Sequence, residues 1–353
     1  METNILVTIL QQAVQAPSGD NSQPWHFVWS EKDQVLSLYN LPNNDNPIFN
    51  YQQRGSHIAH GALLENIRLL AGTAGYRAEI ELRADSARDN LVAKTRFIET
   101  SKVENTFLAP YIDQRNTNRK PYQTRPLTAI EREALLKVNT EGITLTLEQT
   151  EGSKEQLARA VSTAERVMLQ YKPLHDYFFD MIRWTGAQEQ KKGNGLYVKT
   201  MELLPPQLLI FKLYSFWPIA RILNRLNLPA FIAKENAKIY KQASAFILFT
   251  NAEHTPESYI KLGSVLQRVW LTATSLGLSM QPVAGVVYLY QRLVNEPNTS
   301  LNSNQSQLVI GAYENIANVF KTPVDSLRML VRIGQGEPPS ARARKQIPAI
   351  EII

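Results

Sequence analysis

A chain of 353 residues with 44% hydrophobic and 20% charged residues has the make-up of a soluble globular protein, with room for two ordinary domains or two fused halves. It contains no cysteine, which excludes disulfides, thiolate nucleophiles and cysteine-ligated metal centres, and its five histidines fall in no metal-binding spacing. The formal charge of +6 suits a phosphate-bearing or acidic partner, but the cations are dispersed and no nucleic-acid motif accompanies them, so no nucleic acid is expected.

The first residues, Met1 to Asn4, lack the basic start and long apolar run of a secretion signal, which makes a cytoplasmic location the expectation. Ile5, Leu6, Ile9, Leu10 and Val14 then recur at helical spacing, and Pro17 stops that helix. Ser18, Gly19, Asp20, Asn21, Ser22 and Gln23 follow. These small and amide side chains offer many hydrogen-bonding groups with little bulk, and can lie close against a flat polar heterocycle. Pro24 and Trp25 stiffen the exit, and strands around 27–29 and 35–39 form a hairpin. A helix is expected over 56–74, with Ile58, Ala62, Leu63, Ile67, Leu70 and Ala71 on one face and Gly75 at its end. His57 and His60 on its first turns read as partly solvated helix residues or, alternatively, as a polar pair facing a substrate. Residues 78–82 alternate as a strand, and 91–93 begin another.

Arg115, Asn116, Thr117, Asn118, Arg119 and Lys120 set three cations among amides and a hydroxyl. Such a run is either a wet loop or a phosphate site, since arginine forks hold phosphate bidentately. An amphipathic helix over 129–138 follows, then a strand at 143–147 and helices at 154–171 and 174–185. The stretch 205–232 is apolar, but Lys212, Pro218, Arg221, Asn224 and Arg225 interrupt every possible span. It is expected as amphipathic segments covering the protein or the mouth of its site, with no membrane span. Residues 245–250 read as a buried strand.

A long helix over 259–276 repeats the earlier one. Gly61, Leu64, Leu69, Ala71 and Gly75 recur as Gly263, Leu266, Leu271, Ala273 and Gly277, all at an offset of 202 residues, and the matching terminal glycines favour duplication. Small residues in 279–285 expose backbone amides, 331–334 reads as a last strand, and the tail carries Arg342, Arg344 and Lys345.

The run from Ala16 to Trp25 closely resembles the Ala-Pro-Ser-x-x-Asn-x-Gln-Pro-Trp signature of the FMN-dependent nitroreductase superfamily. Arg115, Thr117 and Arg119 are similar to its Arg-x-Ser-x-Arg element, with threonine keeping the hydroxyl. The resemblance covers nearly the whole chain, and is closest to a divergent two-half branch, the Acg-like flavin-binding proteins. It implies an α+β, nitroreductase-like fold with a central mixed or antiparallel sheet flanked by helices. Two fused halves, 1–102 and 103–353, would form a single-chain pseudodimer, itself a monomer or a homodimer, with an apolar helical insert at about 186–236.

The cofactor implied is FMN, carried between the halves. Arg115 with Arg342 or Arg344 would grip its phosphate, and Asn116, Thr117 and Arg119 would meet the ribityl chain and pyrimidine edge. Ser18, Gly19 and Asn21 would touch the ring from the other half. The 282–285 loop of Pro282, Val283, Ala284 and Gly285 would face its reactive edge, and Gln267 or Arg268 would approach the pyrimidine. Ala284 stands where an acidic residue often precedes the glycine. No catalytic side chain is expected, because the flavin carries the redox chemistry. The implied activity is electron transfer from NAD(P)H to a nitroaromatic, quinone or other conjugated acceptor; the alternative is an FMN-sequestering protein with little turnover. The arginine element occurs only in the second half and the Pro-Ser-x-x-Asn loop only in the first, so one composite site is expected to be complete and the other lost.

Overall fold

A computed structural model describes the chain except for residues 84–89, 102–105, 139, 141 and 297–300. Helix α1 (Thr3–Ala13) ends four residues before Pro17 and buries Leu6, Ile9, Leu10 and Ala13. Strands β1 (Trp25–Ser30) and β2 (Val35–Asn40) form the antiparallel hairpin. Each alternates buried and half-buried positions, as a sheet with one face on a core requires. Helix α2 (Arg54–Thr73) is buried along most of its length. Strands β3 (Tyr76–Leu82) and β4 (Leu91–Glu99) extend the sheet.

The second part opens with α3 (Ala129–Leu136), whose start is fixed by a capping box between Thr128 and Glu131. Strand β5 (Thr144–Glu148) and helices α4 (Glu151–Gln170) and α5 (Lys172–Asp180) follow. The expected 174–185 helix is therefore cut short. Its last residues enter the two-residue strand β6 (Ile182–Arg183), which pairs with β7 (Leu196–Tyr197) beyond α6 (Gly186–Lys192). Three helices make up the apolar stretch: α7 (Pro205–Tyr214), α8 (Trp217–Arg225) and α9 (Leu228–Lys241). Then come β8 (Ala245–Thr250), α10 (Pro256–Ser275), β9 (Ser279–Pro282), α11 (Gly285–Asn295), α12 (Ser303–Phe320) and β10 (Leu327–Gly334). The strand expected at 331–334 is the end of β10 but is not the last. The chain continues to β11 (Ile350–Ile352).

Two main sheets result, ordered β11-β1-β2-β4-β3 and β5-β8-β10-β9. Every residue of β8 and β10 is buried, as their central places in the second sheet demand. The tail leaves that sheet, crosses to the first and pairs parallel with β1, Phe27 beside Ile350. Each sheet has its own apolar core, and the two repeated helices join them. Ile58 of α2 packs into the second core, while Ile260 and Leu271 of α10 pack into the first.

The α2–α10 contact is reciprocal. A Cβ on Gly61 would lie 1.8 Å from the Ile260 carbonyl oxygen, and one on Gly263 would lie 2.0 Å from that of Ile58. Ile58 and Ile260 are themselves counterparts at the 202-residue offset, as are Gly61 and Gly263. Gln267 donates to Asn66 at 2.7 Å and Arg268 pairs with Glu65 at 2.8 Å, and these four residues are again crossed counterparts. Such an i-to-j, j-to-i pattern is the signature of an isologous interface, here closed within one chain. Glycine is required at both crossing points because backbone meets backbone.

Candidate functional site

The 18–23 loop sits where α1, α2 and the tail converge. Its backbone takes left-handed conformations at Asp20, Asn21 and Gln23, with φ of 45°, 57° and 52°. Non-glycine residues hold such angles only when their surroundings fix them. Here the fixing is visible. The Ser18 hydroxyl accepts from the Gln23 amide, and Gln23 donates to the Gly193 carbonyl at 2.8 Å and accepts from the Gln346 amide at 2.8 Å. Asn21 donates to the Arg344 carbonyl at 2.8 Å. The tail that completes the first sheet thus also clamps this loop.

The Arg115–Arg119 element is held against β9. Thr117 bridges to Met280, and Asn118 donates to Ser279 and to the Glu337 carbonyl, both at 2.8 Å. Beneath it Arg332 is fully buried, stacked on Tyr122 at 4.1 Å and donating to Gln281 and the Lys120 carbonyl.

Between loop and element lies a cavity of about 280 Å³. Ser18, Gly19, Thr117, Arg119, Pro282, Ala284 and Gly285 line it, with Gly55, Ile58 and Ala59 of α2 and Leu266 and Trp270 of α10. An adjoining compartment of about 110 Å³ is walled by Asn21, Arg115, Asn116, Arg342 and Lys345, and shares Ser18, Thr117 and Arg119 with the first. Val283 faces a third space on the other side of the 282–285 loop, beside Glu165 and Tyr240.

Three expected residues lie elsewhere. Gln267 and Arg268 are spent on Asn66 and Glu65 in the helix–helix contact, and neither lines the cavity. Arg344 is exposed, and it meets the loop through its backbone, accepting from Asn21 and donating to Glu189 at 2.6 Å. Lys345 takes the inward place beside Arg342. His57 and His60 are both buried, so the partly solvated reading is corrected. Desolvation pushes them down to about 4 and about 3, and His60 bonds the Pro24 carbonyl at 2.9 Å. Neither reaches the main cavity.

Cations gather at the small compartment. Arg115 is buried over the face of Trp270 at 4.5 Å and donates to the Gln15 carbonyl; burial and the nearby Arg342 push it down to about 9. Lys345, bonded to the Ala16 carbonyl at 2.8 Å, is held well below the usual lysine range by burial, Arg115 and Arg342. Among the described residues none of the three forms an ion pair with a carboxylate, and the Nε of Arg115 has no hydrogen-bond partner. Three converging cations with only carbonyl acceptors could take an anion, which would relieve their mutual repulsion.

The main cavity holds groups that sequence reasoning missed. Asp45 is buried beside Gly19, accepts from its neighbour Asn46 at 2.7 Å, and is pushed up to about 7 by burial and by Asp20. Burial likewise raises Asp20, against the pull of Arg119. Asp45 lay in a polar Pro- and Asn-rich loop with no pattern to mark it, whereas Asp20 stood in plain view within the signature.

An α+β chain carrying this loop, this arginine element and a cavity between them resembles nitroreductase-like proteins. No protein-family model matches it. Among named relatives it is 23% identical over 295 residues to the "Putative NAD(P)H nitroreductase acg" of Mycobacterium tuberculosis, covering 82% of each chain. It is 25% identical over 290 residues to the uncharacterized protein MT1398 of the same organism, covering 80% of this chain but only 39% of that relative's length. A solved structure it is similar to is the FMN-dependent nitroreductase NfnB of Mycobacterium smegmatis in complex with NADPH, at 13% identity, a TM-score of 0.37, and coverage of 66% of this chain and 90% of that one.

Proposed function

We propose that this protein holds one FMN in the two adjoining compartments and passes electrons from NAD(P)H to a nitroaromatic, quinone or other conjugated acceptor. One observation carries the reading: a cluster of three cations without a carboxylate ion pair among the described residues, buried Arg115, half-buried Lys345 and exposed Arg342, opens beside the clamped Ser18–Gln23 loop. The residues present fit the cofactor. The three cations would take the phosphate. Asn21, Asn116, Thr117 and Arg119 offer donors along the passage, and Ser18, Gly19, Pro282, Ala284 and Gly285 offer low-bulk walls beyond it. When bound, FMN supplies the redox chemistry, and the protein supplies position and electrostatics. Ile58, Leu266, Trp270 and Met329 give the larger cavity apolar walls that exclude water from a flat ring. Asp45, neutral up to about 7, can hold a proton there.

The reading extends to domain organisation: two fused halves, about 1–102 and 103–353, form a pseudodimer whose axis passes through the α2–α10 crossing. A second reading, flavin sequestration without turnover, is favoured above about pH 7, where Asp45 ionises and its negative charge in the same cavity opposes added electrons.

The purified protein is expected to carry flavin absorbance and to oxidise NADH or NADPH in the presence of menadione or nitrofurazone. Tightly bound FMN that neither nicotinamide reduces anaerobically would select sequestration. Arg342→Ala, at an exposed position, should weaken FMN binding by about ten- to a hundredfold, the worth of one charge-assisted hydrogen bond. Unchanged affinity in a fluorescence titration would remove the anion site from the reading.

A further inference from the structure

The 205–232 stretch, expected as amphipathic segments covering the protein or the mouth of its site, also turns many of its apolar side chains outward. Of nineteen exposed large apolar residues among the described ones, nine fall between Leu204 and Phe231. Leu204, Leu209, Phe216, Ile222, Leu226 and Phe231 are each more than half exposed. The helices are nonetheless anchored from below. Tyr214, Ala220, Phe178 and Phe179 form a small separate core under them, and His175 bonds the Tyr214 carbonyl at 2.8 Å. The surface is therefore a built platform rather than a loose flap.

Its charge has one sign. Residues 203–234 contain no Asp or Glu and carry Lys212, Arg221, Arg225 and Lys234. On α8 the exposed face alternates Arg221, Ile222 and Arg225, and on α9 it sets Phe231 beside Lys234 and Lys238 at helical spacing. A groove of about 680 Å³ between α4 and α9 continues the basic surface with Arg159, Arg166 and Lys241. There Glu155 takes Arg159 and Lys241 and Glu235 takes Lys238, which leaves Arg166 and Lys234 without an ion pair among the described residues.

We infer that α7–α9 form a docking face for an anionic lipid bilayer, on which the protein lies without crossing it. Apolar side chains interleaved with cations, with Glu235 the one acidic residue of the three helices and itself paired with Lys238, match the acyl–headgroup boundary of such a membrane. Spanning is not involved: the three helices have 10, 9 and 14 residues, and no described helix is long and apolar enough to cross. A second copy fits this face poorly, since an isologous contact would set its four cations against themselves. The inference does not rest on the flavin reading.

Sedimentation of the full-length protein with sucrose-loaded vesicles tests it. Binding is expected to phosphatidylglycerol-containing phosphatidylcholine vesicles and much less to phosphatidylcholine alone, falling with salt. Arg221→Gln/Arg225→Gln/Lys234→Gln should weaken binding by about a hundredfold, from about fivefold per cation. Leu209→Ser/Phe216→Ser/Ile222→Ser should abolish it, with melting midpoints of both variants near that of the parent protein. Absence of binding to either vesicle overturns the proposal, as does equal binding by the parent and both variants. So does a concentration-dependent dimer that the apolar variant dissolves while vesicles are ignored, since that would make the face an interface between copies.

Discussion

At the scale of single residues, Asp45 stands out of register with its surroundings. Its carboxyl is buried, lies near a second carboxyl, and is held neutral up to about 7 in place of its ordinary 3.8. Ionising it in the folded protein therefore costs up to about 4 kcal/mol. The folded state binds the proton between about pH 4 and about pH 7 while the unfolded state has released it, so stability falls as pH rises through that window. Asp45→Asn keeps an acceptor for the Asn46 amide and cannot ionise. It is expected to raise stability at about pH 8 by a few kcal/mol and to lessen the decline, leaving the part that other buried carboxyls such as Asp20 and Glu165 contribute. Urea melts of both proteins at about pH 5 and about pH 8 give the comparison, and identical slopes would mean that Asp45 is already ionised in the fold. The same residue shows what was illegible in the chain. The signature loop and the Arg115–Arg119 element could be read because their chemistry is written in consecutive residues. Asp45 and Trp270 arrive at the main cavity from two distant segments, and nothing local marks them.

Among the elements, α2 and α10 hold the two sheets together, and their crossing depends on two missing side chains. Gly61→Ala or Gly263→Ala would drive a Cβ to within about 2 Å of a backbone carbonyl oxygen that has no freedom to move aside. Each substitution is expected to cost at least about 3 kcal/mol, as overpacking against fixed backbone does. Gly311→Ala supplies the control, because that exposed glycine lies inside α12 with nothing near its missing Cβ. There alanine should stabilise by about 0.5–1 kcal/mol through helix propensity alone. Thermal melts of the three variants should therefore split in sign, and a mild effect at Gly61 would mean that the helices can part without loss. Most elements were legible for the same reason that these glycines stood out: periodic apolar residues and paired stops mark helices and strands directly. The short strand β6, the early end of α5 and the return of the tail as β11 were not. β6 and the end of α5 depend on pairing with β7 beyond an intervening helix, and β11 on a strand at the far end of the chain; the three residues of β11 carry no pattern of their own.

For the molecule as a whole, the crossed repeat decides how many cofactors one chain can hold. The α2–α10 pairing relates each site-lining position on these helices to a counterpart 202 residues away, and so defines where the opposite composite site would stand. At the side proposed to hold FMN, Gly55 and Ala59 of α2 and Leu266 and Trp270 of α10 line the cavity. Their counterparts are Glu257, Lys261, Leu64 and Arg68. A glycine and an alanine, which leave room, are thus replaced by long charged side chains, and the indole under Arg115 is replaced by a second guanidinium that is already paired with Glu65. The opposite side also lacks both the arginine element, present only after residue 103, and the Ser18–Asn21 loop, present only before it. Losing several charge-assisted hydrogen bonds at about 1.5–3 kcal/mol each moves affinity from micromolar or tighter to beyond millimolar. One FMN per chain is expected. Protein concentration from amino-acid analysis, set against flavin released by denaturation after saturation and gel filtration, gives the ratio. A value near two would require that Glu257, Lys261 and Arg68 move aside to admit a ring, and would overturn the reading of a pseudodimer with a single surviving site.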